Sequence, residues 1–259
     1  MNNLVISVSH DSSLKSLGLH ADTILLDVDP NIKIMKTYDT VYIRSHFSKF
    51  DTLPQRFRSE TKNLVQQIYE LNSNVKFIDS TDTVDDILQF EDKWNQYQIL
   101  SEFMPKTILY NDSYDVANFT QPVYKNRLSS RGTGVTWDVK QITNPEKDWI
   151  VQESISIIEE LRIYAICGEI YPIGSIRQNK TSQQGTKVID SRLLAQNEID
   201  FSLRVMSHIS HVDFAGLDVV RTENSALTLI EVNRSPGFAK FNEQTGVELA
   251  DVLYEKLNK

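Results

Sequence analysis

Apolar residues in the first eighty positions come in short β-branched runs separated by polar turns. Residues 4–9, 23–28, 40–43 and 75–78 each read as a short buried strand. Between positions 54 and 71, Phe57, Leu64, Val65, Ile68 and Leu71 recur at helical spacing, which predicts an amphipathic helix. Strands alternating with helix predict a small α/β layer with parallel strands. The turn after the first run, His10-Asp11-Ser12-Ser13, suits a helix start but lacks a glycine-rich dinucleotide fingerprint.

A helical period returns over residues 85–103 and stops at Met104-Pro105, because proline disfavours helix in the residue before it. Residues 122–125 read as a strand followed by a polar loop over 126–134. Residues 149–152 form another strand, and 162–176 a hairpin around Gly168-Glu169. A helix is expected over 197–211, two strands over 214–220 and 226–233 around the turn 221–225, and a last helix over 247–257. No repeat or low-complexity tract interrupts this pattern.

Composition narrows the classes. With 259 residues, 40% hydrophobic and 24% charged, the chain can bury a sizeable core. No apolar run approaches the roughly 20 residues that span a bilayer, and no membrane partner is expected. The start MNNLVISVSHDSS reads as a strand rather than a signal peptide. The single cysteine, Cys167, rules out an intrachain disulfide and agrees with a cytoplasmic location. A net charge of -8 argues against nucleic acid as a partner. Of nine glycines only Gly18 precedes residue 130, which directs attention to the later half.

Three constellations there carry chemistry. In Leu227-Thr228-Leu229-Ile230-Glu231-Val232-Asn233, Glu231 and Asn233 share a strand face, and Asp218 joins them if the preceding strand pairs alongside. Two carboxylates and an amide oxygen are hard donors suited to magnesium; a solvated acidic edge would look the same. Lys125 followed by Ser129-Ser130-Arg131-Gly132-Thr133-Gly134 could meet phosphates with an ammonium group and turned N–H groups, or form a plain surface hairpin. The spacing is not that of a P-loop. Gln152-Glu153-Ser154-Ile155, with Glu159-Glu160 after it, could offer a purine edge, an apolar slot and a ribose carboxylate, or form an ordinary strand with an acidic loop.

The order of these segments resembles the ATP-grasp superfamily. Lys93 in Glu91-Asp92-Lys93-Trp94, Lys125, the glycine loop, Gln152-Glu153, Arg162, Arg177, Asp218 and Glu231-x-Asn233 follow one another as in its RimK-like and glutathione-synthetase-like ligases. The segment from Glu231 to Phe238, with Thr245-Gly246 following, is especially similar to that branch. The resemblance implies an α/β fold with an N-terminal pre-grasp layer (1–89), a small lobe with the glycine loop (90–153) and a large lobe with the metal site (154–259). It further implies that Lys93, Lys125, Ser130, Gly132 and Gly134 hold the ATP phosphates. Gln152, Glu153 and Ile155 would meet adenine, and Glu159 or Glu160 the ribose. Asp218, Glu231 and Asn233 would hold magnesium or manganese. Arg177 and Arg162 would act at the reacting group, and Arg44, Asn179 and Ser235 would touch substrate.

Departures are visible. Asn126 stands where RimK-like proteins usually have proline, the stretch between Gly134 and Gln152 is short, and residues 177–185 follow the family's arginine-asparagine-glycine pattern only loosely. That last stretch also has a faint likeness to peptide-macrocyclising ligases of microviridin type. The implied reaction joins a small-molecule, peptide or protein carboxylate to an amine through an acyl phosphate. A small-molecule kinase and a non-catalytic nucleotide-binding module are the rival readings. His208 and His211 share a helical face but lack a third zinc ligand. Cys167 reads as a small apolar residue within a strand, and Trp94, Trp137 and Trp149 as packing residues.

Overall fold

The computed structural model describes residues 2–28, 32–44, 54–79, 90–110, 118–128, 134–142, 149–179 and 186–258, without the side chains of 54–58, 178, 179, 186 and 187. Three sheets follow one another along the chain. The first is parallel: β1 (Asn3–Ser7) lies between β2 (Asp22–Leu25) and β3 (Thr40–Ile43), and β3 pairs β4 (Lys76–Phe77). A short helix α1 (Leu14–Leu17) follows β1, and α2 (Pro54–Leu71) connects β3 to β4. The predicted α/β layer is therefore present.

Its continuous apolar runs have a structural reason. Leu4, Ile6, Val41 and Ile43 face Leu64 and Ile68 of α2. Val5, Tyr42 and Ile78 point the other way, into a second core with Tyr164, Ile166, Phe214 and the C-terminal residues Phe241, Leu249 and Leu253. A parallel sheet covered on both faces needs no polar alternation. The second core joins this layer to the rest of the molecule.

The small sheet is antiparallel, in the order β5 (Thr107–Leu109), β8 (Trp149–Glu153), β6 (Pro122–Asn126), β7 (Val135–Thr136). The large sheet runs β12 (Thr186–Leu193), β11 (Ile173–Asn179), β9 (Ile157–Ile166), β13 (Phe214–Thr222), β14 (Leu227–Asn233), with the two-residue β10 (Glu169–Ile170) also on β9. Helices α3 (Lys93–Leu100) and α4 (Gln196–His208) cover one face of it, and α5 (Ala239–Thr245) and α6 (Leu249–Leu257) close the chain. Residues 90–103, expected with the small lobe, pack into the large-sheet core: Phe90, Leu100 and Phe103 lie against Leu161, Phe201 and Leu217. Of the helix expected over 85–103, residues up to 89 lie outside the described part.

Other differences are local. Cys167 sits not within a strand but in the tight turn after β9, at φ 50°, with Gly168 at φ 80°. His208 pairs with Glu102 at 2.9 Å, and His211 stands edge-on to Phe90. Among the described residues no group of three or more His, Cys, Asp or Glu could hold a metal by itself, and no helix is long and apolar enough to cross a membrane.

Candidate functional site

Strand alternation decides which residues of β9 reach the site. Leu161, Ile163 and Ala165 face the core under α4, so Glu160, Arg162 and Tyr164 face the opposite side. Cross-strand register then lines up a row. Arg162 stands opposite Ser175 of β11 and Asp218 of β13, and Asp218 stands opposite Glu231 of β14. One step along, Tyr164, Gly216 and Asn233 are opposite one another. Gly216 must be glycine because a Cβ there would meet the Pro236 Cβ at 2.7 Å. That close approach presses the loop after β14 onto the site.

The row is strongly charged. Arg162 grips Asp218 through two bonds of 2.8 Å each. Arg177 Nη1 reaches Asp218 Oδ2 at 2.6 Å and Glu160 Oε1 at 3.0 Å. Asn233 Nδ2 donates to Asp218 Oδ2 at 3.3 Å. Burial alone would raise the Asp218 carboxyl, but the two guanidinium groups override it and hold it down at about 2. Asp218 is thus a committed carboxylate.

The lysines approach from the other side. Lys93, in the first turn of α3, places Nζ 3.7 Å from Glu231 Oε1. The start of α3 is fixed by Asp92, which accepts from Trp94 N at 2.8 Å and pairs with Arg127, just past β6. Lys93 N donates to the Arg127 carbonyl at 3.1 Å, so helix and β6 are joined next to both lysines. Lys125, on β6, donates to Gln152 Oε1 on β8 at 2.6 Å. Burial pulls the Lys125 ammonium down to about 8; Glu231 and Glu160 push it up, and Lys93 pushes it further down. Burial pushes the Glu91 carboxyl up to about 7 against the pull of Arg234.

These shifts give a pH prediction. Above pH 8 the empty protein holds Lys125 neutral, whereas a bound triphosphate favours the ammonium form and raises its pKa. Nucleotide binding then takes up a proton, and affinity falls as pH rises through 8, by roughly tenfold per unit. Calorimetry in two buffers of different ionisation enthalpy at about pH 9 should show that uptake, and Lys125→Met should weaken binding and abolish the pH slope. A flat affinity profile in the unsubstituted protein would remove Lys125 from the phosphate site.

Several expected residues sit elsewhere. Arg44 is wholly buried: its guanidinium holds Asp11 at 2.7 and 3.2 Å, Tyr42 Oη at 3.1 Å and the Pro236 carbonyl at 3.1 Å. It is a brace, not a surface that substrate can touch. Glu159 lies on the α4 face of β9 and pairs with Arg192, which also holds Glu198, so Glu160 alone of the two carboxylates faces the site. Glu153 accepts from Thr120 N at 3.1 Å and Gln121 N at 2.9 Å, which occupies its carboxylate with a turn. The Gln152 amide is likewise engaged by Lys125 and Thr107, and the backbone N–H groups of Glu153 and Ser154 donate to the Lys106 and Gln121 carbonyls.

The remaining positions are simple to place. Ile155 lies in the link between β8 and β9. Gly134, at φ 67°, accepts from Asn126 N at 2.7 Å and closes the hairpin after β6. Asn179 ends β11 opposite Thr186. Ser235 is buried in the loop after β14, and its Oγ finds no hydrogen-bond partner among the described residues. Ser130 and Gly132 lie outside the described residues.

Residues to which the sequence assigns no role of their own also shape the site. Arg234 is buried and bonds Asp79 at 2.7 Å through Nε, with Nη2 on the Ile43 carbonyl at 3.1 Å. Tyr42 Oη donates to the Arg234 carbonyl at 2.9 Å. In the sequence Arg234 stands out only as a member of the Glu231–Phe238 segment that carries the resemblance.

A face that gathers two carboxylates and an amide beside two lysines and two arginines has the chemistry to meet a polyphosphate and a divalent cation. The chain belongs to the RimK-like ATP-grasp family, whose domain model matches residues 92–257. It is thereby an ATP-dependent ligase that joins a carboxylate to an amine. Solved structures of similar fold include the ATP-grasp ligase PsnB complexed with a minimal precursor, at TM-score 0.69 and 15% identity over 98% of this chain and 99% of that one. The macrocyclase MdnC from Microcystis aeruginosa MRC, bound with the precursor peptide MdnA, gives TM-score 0.63 and 16% identity, covering 98% and 100%. The D-cycloserine synthetase DcsG gives 0.65 and 11%, covering 99% and 100%. No curated protein matches the chain.

Proposed function

We propose that this ligase acts on a peptide, activating a side-chain or terminal carboxylate with ATP and passing the acyl group to an amine. The carrying observation is the convergence of Asp218, Glu231 and Asn233 with Lys93, Lys125, Arg162 and Arg177 on one face. The peptide reading is supported by the match over nearly the whole chain to two ligases solved with precursor peptides.

In the first step a carboxylate oxygen of the substrate attacks the γ-phosphorus of ATP, the bond to the bridging oxygen breaks, and ADP leaves. Lys93 and Lys125 neutralise charge on the phosphate oxygens. Arg177, between Glu160 and Asp218, offers its guanidinium to the transferred phosphoryl group. The acyl phosphate is then attacked by a neutral amine; inorganic phosphate departs and the amine loses its proton. Asp218, Glu231 and Asn233 are hard oxygen donors on neighbouring strands that suit magnesium, with manganese as a substitute, and the ion would offset phosphate charge. Asp218, fixed as a carboxylate, fits that task. Ser235, whose buried hydroxyl has no partner among the described residues and lies in the loop after Asn233, is the candidate for contact with the acyl group.

The test is an ADP-release screen over peptides carrying both carboxylate and lysine side chains, with mass spectrometry of products. The expected result is ADP together with a peptide lighter by one water. A phosphorylated peptide without water loss would make the protein a kinase. Nucleotide binding without ADP release would make it a binding module.

A further inference from the structure

Beyond the groups that face the nucleotide, Gln96 occupies an unusual place. It lies on α3, one turn after Lys93, and is 1% exposed. Its Nε2 donates to the Val232 carbonyl at 2.9 Å and to the Phe90 carbonyl at 3.1 Å, while its Oε1 accepts from Val232 N at 2.9 Å. All of its amide hydrogens and its oxygen are therefore used. Val232 is the residue between Glu231 and Asn233, and β14 is an edge strand of the large sheet. The Gln96 amide thus stands where the next strand would, pairing both backbone groups of Val232. Further along the same edge, Leu229 N donates to the Phe103 carbonyl at 2.8 Å, so the segment around α3 covers much of it.

We infer that Gln96 is a positioning residue for the metal-binding face of β14, setting Glu231 and Asn233 at a fixed distance from Lys93. This rests on the reading above that Glu231 and Asn233 hold the divalent ion. Two observations point to this role. Gln96 and Lys93 are three residues apart, hence neighbours on one side of α3. The same helix that brings Nζ of Lys93 to 3.7 Å from Glu231 therefore also grips the backbone next to Glu231. Second, the Gln96 amide both donates to and accepts from the backbone of one residue, Val232, a two-way pairing that an apolar side chain in this place could not make. Partners of this outer kind tune metal affinity by about 10- to 100-fold when removed.

The experiment uses the full chain and Mn2+ as probe. Electron paramagnetic resonance gives the dissociation constant of Mn2+ from the complex with ADP, and calorimetry in EDTA gives ADP affinity without metal. Gln96→Met, matched in length but without the amide, should raise the Mn2+ dissociation constant about 10- to 100-fold while leaving metal-free ADP affinity within about twofold. Gln96→Leu, which likewise lacks the amide's donors and acceptor, should move in the same direction. Glu231→Gln is the control for the underlying reading. If it leaves Mn2+ binding unchanged, the metal assignment itself is wrong. If it weakens Mn2+ binding but neither Gln96 variant does, only the inference about Gln96 falls. Loss of metal-free ADP binding in step with metal binding, or failure of both Gln96 variants to fold, would make Gln96 a residue of the fold and overturn the proposal.

Discussion

Glu231→Gln is expected to lower ATP turnover by roughly 10³-fold while the protein stays folded. Glu231 is partly exposed on an edge strand, and among the described residues its carboxylate makes one long ion pair, 3.7 Å to Lys93. Its removal withdraws support from the Lys93 and Lys125 ammonium groups, which Lys125 can answer by releasing its proton, so the folded state should lose little stability. The chemistry should suffer far more. Among the described carboxylates of this row, Glu231 is the one not already clasped by arginine: Asp218 is held by Arg162 and Arg177, and Glu160 by Arg177. A roughly 10³-fold loss corresponds to about 4 kcal/mol of transition-state stabilisation. Lys125 should respond as well, because Glu231 is the strongest group supporting its charged form. Its titration should move below 8 in the variant. Turnover within about tenfold of the unsubstituted enzyme would place the essential ion elsewhere.

The legible parts of this site were those written in alternation. The 214–220 and 226–233 runs are antiparallel partners, and the side-chain period of two puts Asp218 against Glu231, as their register shows. The distinction between Glu159 and Glu160 was not legible. Adjacent strand residues face opposite ways, and only the burial of Leu161 and Ile163 against α4 tells which carboxylate reaches the cleft. Strand β12 escaped notice because Lys187, Asp190, Ser191 and Arg192 interrupt any apolar run, as suits an edge strand. Helix α5, of seven residues, is shorter than sequence periodicity resolves.

Buried polar groups were the hardest to foresee. Gln96 lies in a helix where a glutamine normally faces water, and its partner is 136 residues away. Arg44 reads as a substrate contact because it sits where RimK-like proteins have an arginine after an N-terminal strand. Its partners Asp11 and Pro236, 33 and 192 residues distant, show what it does instead. Such pairs carry no local pattern. They become visible only when the parallel sheet is laid against the loop that follows Asn233.

Asp11→Ala is expected to destabilise the whole protein by about 3–5 kcal/mol, a large share of the 5–15 kcal/mol that native proteins have. Asp11 and Arg44 are both essentially withdrawn from solvent, with side-chain exposures of 3% and 0%. Removing the carboxylate would leave a guanidinium charged and buried, because arginine does not give up its proton; the pair with Asp11 and the contact with Tyr42 push that proton's release higher still, although burial opposes them. The same loss would free Ser7 Oγ and Ser13 N, which donate to Asp11 at 3.0 Å each. Arg44 also supports the Pro236 carbonyl, and Tyr42 the Arg234 carbonyl, so the N-terminal sheet and the loop beside the site should loosen together. Ser12 and Ser13 lie on that side too, and Phe238 N donates to Ser13 Oγ at 3.1 Å. Denaturant unfolding would measure the loss, with Glu243→Gln, which removes an exposed partner of Lys240, as a control that should change stability by no more than about 0.5 kcal/mol. Arg44→Lys should recover little, since an ammonium cannot reproduce the two-pronged grip on Asp11. Equal midpoints for Asp11→Ala and the control would mean that the two layers are joined by their apolar core alone, and that the buried ion pair adds nothing to it.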